Sequence, residues 1–307
     1  MLSHDAHLLY GLEDSAKLES TIDRLTIHLE QLQVSDPMEE AELPKKELFL
    51  SKANIIRFVN AFFDNSNHSN CFVYKGSFNV NTASTQLLLA ILLLGATCIS
   101  PEDAATAEKF SERFEYSVFE SPEFQRLLYQ ENHPTPSREN IQLVQAAMLT
   151  IVLRPSTGQL ETERRIRIQR VPALVSAVRL LNLTQVLNDT VLDGEKANLD
   201  EYIRRETLVR IMAWVYLLDA HCVIFSNSPP QFKIAEADFG LPRHDMIFKT
   251  TGLPDLNELI SNADLQGPPL SLRSVVQRLM DGKPAGIEEL LPQVDSLFAL
   301  FLVLSGK

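Results

Sequence analysis

The sequence predicts an all-α fold: stacked helix pairs forming a large helical domain, with a short N-terminal amphipathic, coiled-coil-like helix ahead of it. Apolar residues recur three and four apart along most of the chain, the period of one helix face. No alternating run of β-branched residues is long enough for a sheet. With 307 residues, 45% of them hydrophobic, the chain has the material for a substantial core.

Between Glu13 and Val34, the residues Leu18, Ile22, Leu25, Leu29 and Leu32 alternate spacings of four and three, a seam of about two heptads. So short a seam leaves two readings open: it docks onto the rest of the chain, or it pairs two copies as a homodimer. Ser35 to Lys46, acidic and broken by Asp36-Pro37 and Leu43-Pro44, reads as a linker. The boundaries therefore fall at 1–47 for the helix and acidic linker and 48–307 for the helical domain.

Ser51 opens a helix with Ile55, Ile56, Val59, Phe62 and Phe63 on one face, and the Asn and Ser residues of Asp64 to Asn70 break it. Phe72 to Val80 is expected to be a short extended piece. Thr82 to Cys98, almost free of charge, reads as a central helix buried on all sides. In Ala104 to Phe119 the apolar face repeats at Phe110, Phe114 and Val118, and Ser121-Pro122 supplies a cap and a first helical position. Ser137 caps the next helix, whose Ile141, Val144, Met148 and Ile151 face inward until Arg154-Pro155 stops it.

Glu161 to Arg170 is expected to be a charged helix. Pro172 then opens another that carries Leu174, Val178 and Leu181 inward, and Asn182 suits the left-handed residue that closes it. The clearest helix runs from Glu201 to Phe225. Asn198 and Glu201 have capping-box spacing, and Glu201/Arg205 and Glu206/Arg210 are favourable pairs one turn apart. Its inward stripe is Leu208, Ile211, Met212, Val215, Leu218, Cys222 and Phe225, and Asn227-Ser228-Pro229-Pro230 ends it. Shorter helices follow at about Leu270 to Met280 and Ile287 to Leu304.

Charge and motifs narrow the function. A formal net charge of −12 opposes non-specific attraction to a phosphate backbone. Cys71, Cys98 and Cys222 lie far apart, with neither staple nor metal spacing, which fits a reducing compartment. The apolar stretches Leu87 to Ile99 and Leu297 to Leu304 fall short of the roughly 20 residues that span a bilayer, so no membrane partner is expected. The chain carries no phosphate-binding glycine loop, nucleophile elbow or zinc-protease signature.

His4 and His7 have metal-like separation but no further ligands beside them. His221 and Cys222 are neighbours on a helix and point apart, which suits a structural cysteine better than a thiol with its base. Arg164, Arg165, Arg167 and Arg170 spread around a helix axis with Glu161 and Glu163 beside them, a salt-bridged face. Asp219 sits on an apolar helix and needs a partner. An arginine from a neighbouring helix would make it structural; a place inside a ligand pocket would make it an anchor.

Several motifs in order resemble the middle homology region, the regulatory domain of fungal transcription factors, in the branch with two-cysteine two-histidine zinc fingers. They are Leu87 to Ala96, the "IQLVQAAML" of Ile141 to Leu149, the "RRIRIQRVPALVSAVRLLNL" of Arg164 to Leu183, and above all the stretch from Tyr202 to Pro242. The resemblance covers about Ala53 to Pro242, and the family's motif positions fall on Arg204, Glu206, Arg210, Trp214, Asp219, Pro229 and Pro230. Asn182 stands where a glycine is usual, and Val171 where an aromatic residue is.

The resemblance implies a nuclear, non-enzymatic regulator of RNA polymerase II transcription, with those motif positions structural, and with no catalytic, metal or cofactor site in this chain. Zinc, and DNA binding, would come only through fingers upstream of it. Its partners would be proteins of the transcription machinery or a related factor, with any small effector unspecified. The chain ends in an apolar stretch at Leu304-Ser305-Gly306-Lys307, from which a longer regulatory region is expected. The alternative is a stand-alone interaction module or competitor that dimerises with a full-length relative.

Overall fold

A computed structural model describes residues 15–31, 49–65, 72–129, 134–153, 160–190, 196–243, 248, 269–281 and 297–305. Among them the fold is all-α, without a strand, the only ladder-like contact being an isolated antiparallel bridge between Gly240 and Ser271. The chain divides into two compact units. One holds the described residues of Met1–Asn70, Ser77–Glu131 and Thr135–Ile166, the other those of Cys71–Gly76, Asn132–Pro134 and Arg167–Lys307.

In the first unit α1 (Ser15–Gln31) packs on α2 (Lys52–Asp64) and on α3 (Thr85–Thr97), and α3 in turn packs on α2, α4 (Pro101–Phe119) and α6 (Arg138–Val152). The short α5 (Pro122–Tyr129) leans on α4 and α6, and α7 (Leu160–Arg165) closes the unit. Serines start most of these helices: the side chains of Ser51, Ser84, Ser100 and Ser137 each accept an N–H from the first turn, which satisfies a donor the helix cannot. Ser100-Pro101 begins α4 a turn before the expected Ala104, because proline's missing N–H is no loss at a helix start.

Every residue of α3 from Leu87 to Ala96 is buried, as a helix without a polar face must be. Gly95 is where α2 comes closest: a Cβ there would stand 2.0 Å from the carbonyl oxygen of Phe58. Phe58 is fully buried on α2 while Ile56 and Phe63 are only half-buried, so the inward face is rotated from the one predicted. The expected extended piece at Phe72 to Val80 is instead turns and a 3₁₀ turn at Lys75–Ser77. Asn79 explains part of this. Its side chain accepts the N–H of Asn81 and its carbonyl those of Thr82 and Ala83, local bonds that replace a strand ladder.

A π-type turn, Ile166–Arg170, leads into α8 (Val171–Leu180) of the second unit. The sequence suggested that the charged helix would run to Arg170; the wider turn falls where Pro172 removes a rung of the hydrogen-bond ladder. Asn182 closes α8 in the left-handed region, φ 57°, as predicted. The long α9 (Lys196–Ser226) packs on α8 and on α11 (Leu297–Ser305), which also meets α10 (Leu272–Met280). Because α9 begins at Lys196, Asn198 lies inside its first turn and does not cap it. Its end is a left-handed closure: Asn227 takes φ 48° and the N–H of Ser228 reaches back to the carbonyl of Cys222.

Of the predicted stripe, Leu208, Ile211, Met212, Val215 and Cys222 are buried, but Leu218 is half-buried and Phe225 is 74% exposed beside His221 in the last turn. Leu199–Ser226 is long and apolar enough to cross a membrane, the one such stretch among the described residues, yet 61% of its apolar window is buried inside the chain. A core helix passes the same test.

Candidate functional site: polar clamps on the long helix

The motif positions of α9 form two polar clamps in the second unit. The first is built on Glu206 and Arg210, one turn apart and each about 1% exposed. The Arg210 Nε donates to Glu206 Oε1 at 2.9 Å, and another guanidinium nitrogen donates to the carbonyl of Arg243 at 2.6 Å. The main-chain N–H of Arg243 returns to Glu206 Oε1 at 2.8 Å, while Asn188 Nδ2 donates to Glu206 Oε2 and to the Tyr202 carbonyl. The Phe248 ring covers the guanidinium at 4.5 Å. A buried ion pair survives when its remaining lone pairs and N–H groups are satisfied, and here the satisfying groups come from the segments before and after the helix.

Beside it on the surface, Arg205 holds the same preceding segment through the Leu187 carbonyl and the Asp189 carboxylate. Glu201 accepts both Arg204 and Arg205 at 2.7 Å, which draws its carboxyl down to a pKa of about 2. Arg204 thus belongs to an exposed surface pair, with its own pKa raised by the hydrogen bond it donates to Glu201.

The second clamp is Asp219, 4% exposed. Both carboxylate oxygens accept the N–H of Gln231, at 3.1 and 2.9 Å, and one also accepts that of Phe232 at 2.9 Å. Pro229 and Pro230 are exposed and have no N–H, so Gln231 and Phe232 carry the first donors after the proline pair. From the other side Arg179 of α8 donates to the Gln231 carbonyl at 2.6 Å, grips Glu236 with two bonds and lies over the Phe232 ring. The sequence anticipated an arginine or a ligand pocket for Asp219. Its hydrogen-bond partners are main-chain N–H groups instead, because the chain folds back after Pro229-Pro230, and Arg179 of α8 acts on the carboxylate only through its charge. Burial pushes the Asp219 carboxyl up from its ordinary value, and the main-chain donors offset only part of that.

Trp214 lies between the clamps, half-buried, stacked on Phe298 of α11 at 5.3 Å and edge-on to Phe72 at 6.2 Å. The structure therefore places Glu206, Arg210, Trp214 and Asp219 on one helix, with the residues after Pro229-Pro230 folded back against it. Arg204 faces outward. Asn188 and Arg243 were missed by sequence reasoning. Asn188 sits in an irregular segment, and Arg243 contributes main-chain atoms, which leave no side-chain signal.

The remaining candidates are dispersed. Leu18, Leu25 and Leu29 are buried in the first unit, Ile22 is half-buried, and Leu32 lies outside the described residues, as do His4 and His7. Arg165 forks onto Glu115 and reaches Glu112, Arg167 donates to the Ser226 carbonyl, and Arg164 is exposed. Cys222 is buried and His221 is exposed. Among the described residues no cluster of His, Cys, Asp and Glu could hold a metal.

The chain matches the model of the fungal specific transcription factor domain over residues 59–294. It is 32% identical over 209 residues to the curated transcription factor verF of Penicillium polonicum, an alignment covering 66% of this chain and 28% of that protein. The chain thus spans less than a third of the length of this relative. No solved structure matches it significantly.

Proposed function

From its membership of the fungal specific transcription factor domain family, we propose that this chain is a regulatory region that modulates RNA polymerase II transcription in the nucleus without reading DNA itself. A role in transcription regulation follows from the family; the family match over residues 59–294 carries the finer reading. Two physical observations support it. The net charge of −12 disfavours a duplex, and the charged motif residues Glu206, Arg210 and Asp219 are buried and occupied by groups of the same chain, so they hold a scaffold together and do not meet substrate.

Zinc enters this reading only through fingers carried elsewhere in the gene product, and the partners are proteins of the transcription machinery or a related factor. The test joins this chain to an unrelated DNA-binding domain over a reporter gene. A several-fold change in reporter transcript relative to the DNA-binding domain alone is expected, together with nuclear retention of the fused protein. An unchanged transcript would overturn the regulatory role. Tight, sequence-selective retention of a duplex by the purified chain at physiological salt would overturn the claim that it reads no DNA.

A further inference from the structure

The first unit contains a cleft of about 600 Å³ where α1, α5 and the starts of α3 and α6 meet, of the size that holds a small molecule. Its charge runs against that of the chain. Arg24, Arg126 and Arg138 line it against Glu123 and Glu139, a local excess of one positive charge (3 − 2 = +1) in a molecule of net charge −12.

The pairing of those charges matters more than their sum. Glu123 and Arg126 face each other at 3.7 Å on α5. Glu139 is drawn to the N–H groups of its own helix start and to Ser137, which hold its carboxyl below the ordinary range. Arg24 and Arg138 make no ion pair with a carboxylate among the described residues. Each is instead aimed by a neutral oxygen of adjacent residues: Arg24 donates to the Ala83 carbonyl at 3.1 Å, and Arg138 to the Thr82 hydroxyl at 3.0 Å. The two guanidiniums, one from α1 and one from α6, are thus tethered to the same dipeptide while most of their N–H donors stay free.

Two further features favour a negative occupant. The first turns of α3 and α6, capped by Ser84 and Ser137, border the same cleft and are linked by the Ser84 N–H bond to Gln142 at 2.8 Å. Helix starts carry partial positive charge. Arg24 is half-buried, and burial without a carboxylate pushes its pKa down. An oxyanion between the guanidiniums would relieve that penalty, and arginine's planar fork suits phosphate and carboxylate alike.

We propose that this cleft binds a small organic anion through a phosphate or carboxylate group held between Arg24 and Arg138. The site does not depend on the transcriptional reading above, and an anion bound there would tie α1 to α3 and α6.

The experiment follows thermal unfolding of the full chain in inorganic phosphate, succinate or chloride at one ionic strength and pH, with Arg24→Gln and Arg138→Gln alongside. Stabilisation by phosphate or succinate beyond chloride is expected, reduced at least threefold in both variants. The probe that acts identifies the headgroup. No shift beyond chloride, or an equal shift in wild type and in Arg138→Gln, would overturn the site as an adventitious surface effect. Because Arg24→Gln could loosen α1, the Arg138 side-chain Nε–H resonance is followed too: saturable movement with phosphate or succinate supports the site, and an unmoved resonance overturns it.

Discussion

Glu206 and Arg210 meet at 2.9 Å inside the second unit with about 1% of either side chain exposed, and the pair also bonds to Asn188 and Arg243, on opposite sides of the helix in sequence. Removing Arg210 leaves the Glu206 carboxylate buried without its charge partner. Arg210→Met is expected to destabilise the chain by about 3–5 kcal/mol. The double change Glu206→Gln with Arg210→Met should lose clearly less than the sum of the single changes, because it abolishes the stranded charge. Urea unfolding of the four species measures this, and strict additivity would show that the two residues are not a unit.

Asp219 tests whether the second clamp is a main-chain device. Asp219→Ala strands the N–H groups of Gln231 and Phe232 and should lose about 2 kcal/mol or more, whereas Asp219→Asn keeps one acceptor oxygen and should lose less. The pH dependence has a definite sign. Because the folded carboxyl titrates above its ordinary 3.8, the folded chain binds that proton more tightly than the unfolded chain. The group's contribution is therefore greatest in acid and declines as pH rises through the folded value. The wild-type stability relative to Asp219→Asn should fall across that interval; a difference that rises with pH would contradict the burial.

Glu201 behaves oppositely. Held at a pKa of about 2 by Arg204 and Arg205, against an ordinary 4.5, it contributes stability above pH 4.5 that is lost as pH falls toward 2. With 39% of the side chain exposed the contribution is below about 1 kcal/mol. Carboxyl-carbon NMR of the folded chain should show Glu201 titrating well below the ordinary 4.5, and Arg204→Gln with Arg205→Gln should return it towards that value.

Many helices were legible because their determinants are local: a capping serine at the starts of α2, α3, α4, α6 and α10, an asparagine at the ends of α2, α8 and α9, and one apolar period between. Ser137, Asn182 and the Asn227 to Pro230 stop needed no tertiary information. Lys75–Ser77 was misread because Asn79 satisfies its neighbours' N–H groups locally, which a search for β-branched runs does not register. The clamps were half legible. Glu206 with Arg210 is a spacing, but their bonds with Asn188 and Arg243, and the bonds that Gln231 and Phe232 donate to Asp219, are made by the path of the chain.

Gly95 isolates the helix packing. Alanine normally favours a helix interior over glycine by about 1 kcal/mol. Here its Cβ would lie 2.0 Å from the Phe58 carbonyl oxygen, a main-chain atom that can move only with α2. Gly95→Ala is therefore expected to destabilise by about 3 kcal/mol. A stabilised variant would show that α2 and α3 are not in such close contact.

The N-terminal seam gives the sharpest contrast between a dimer contact and a core contact. Leu18 and Leu25 are fully buried and Leu29 nearly so, and Thr21 on the same face donates to Lys17 and Asn81. A side chain that is already buried in its own unit has little surface left to bury against a second copy. Leu25→Ala should thus lose about 2–5 kcal/mol, with an unfolding midpoint that does not depend on protein concentration. For a seam that paired two copies, dilution alone would lower the midpoint and the alanine would halve the sedimenting mass. Sedimentation velocity of wild type and Leu25→Ala across a hundredfold concentration range separates the two: unchanged mass with lowered stability places the seam in the core, and a mass that halves on substitution places it between molecules.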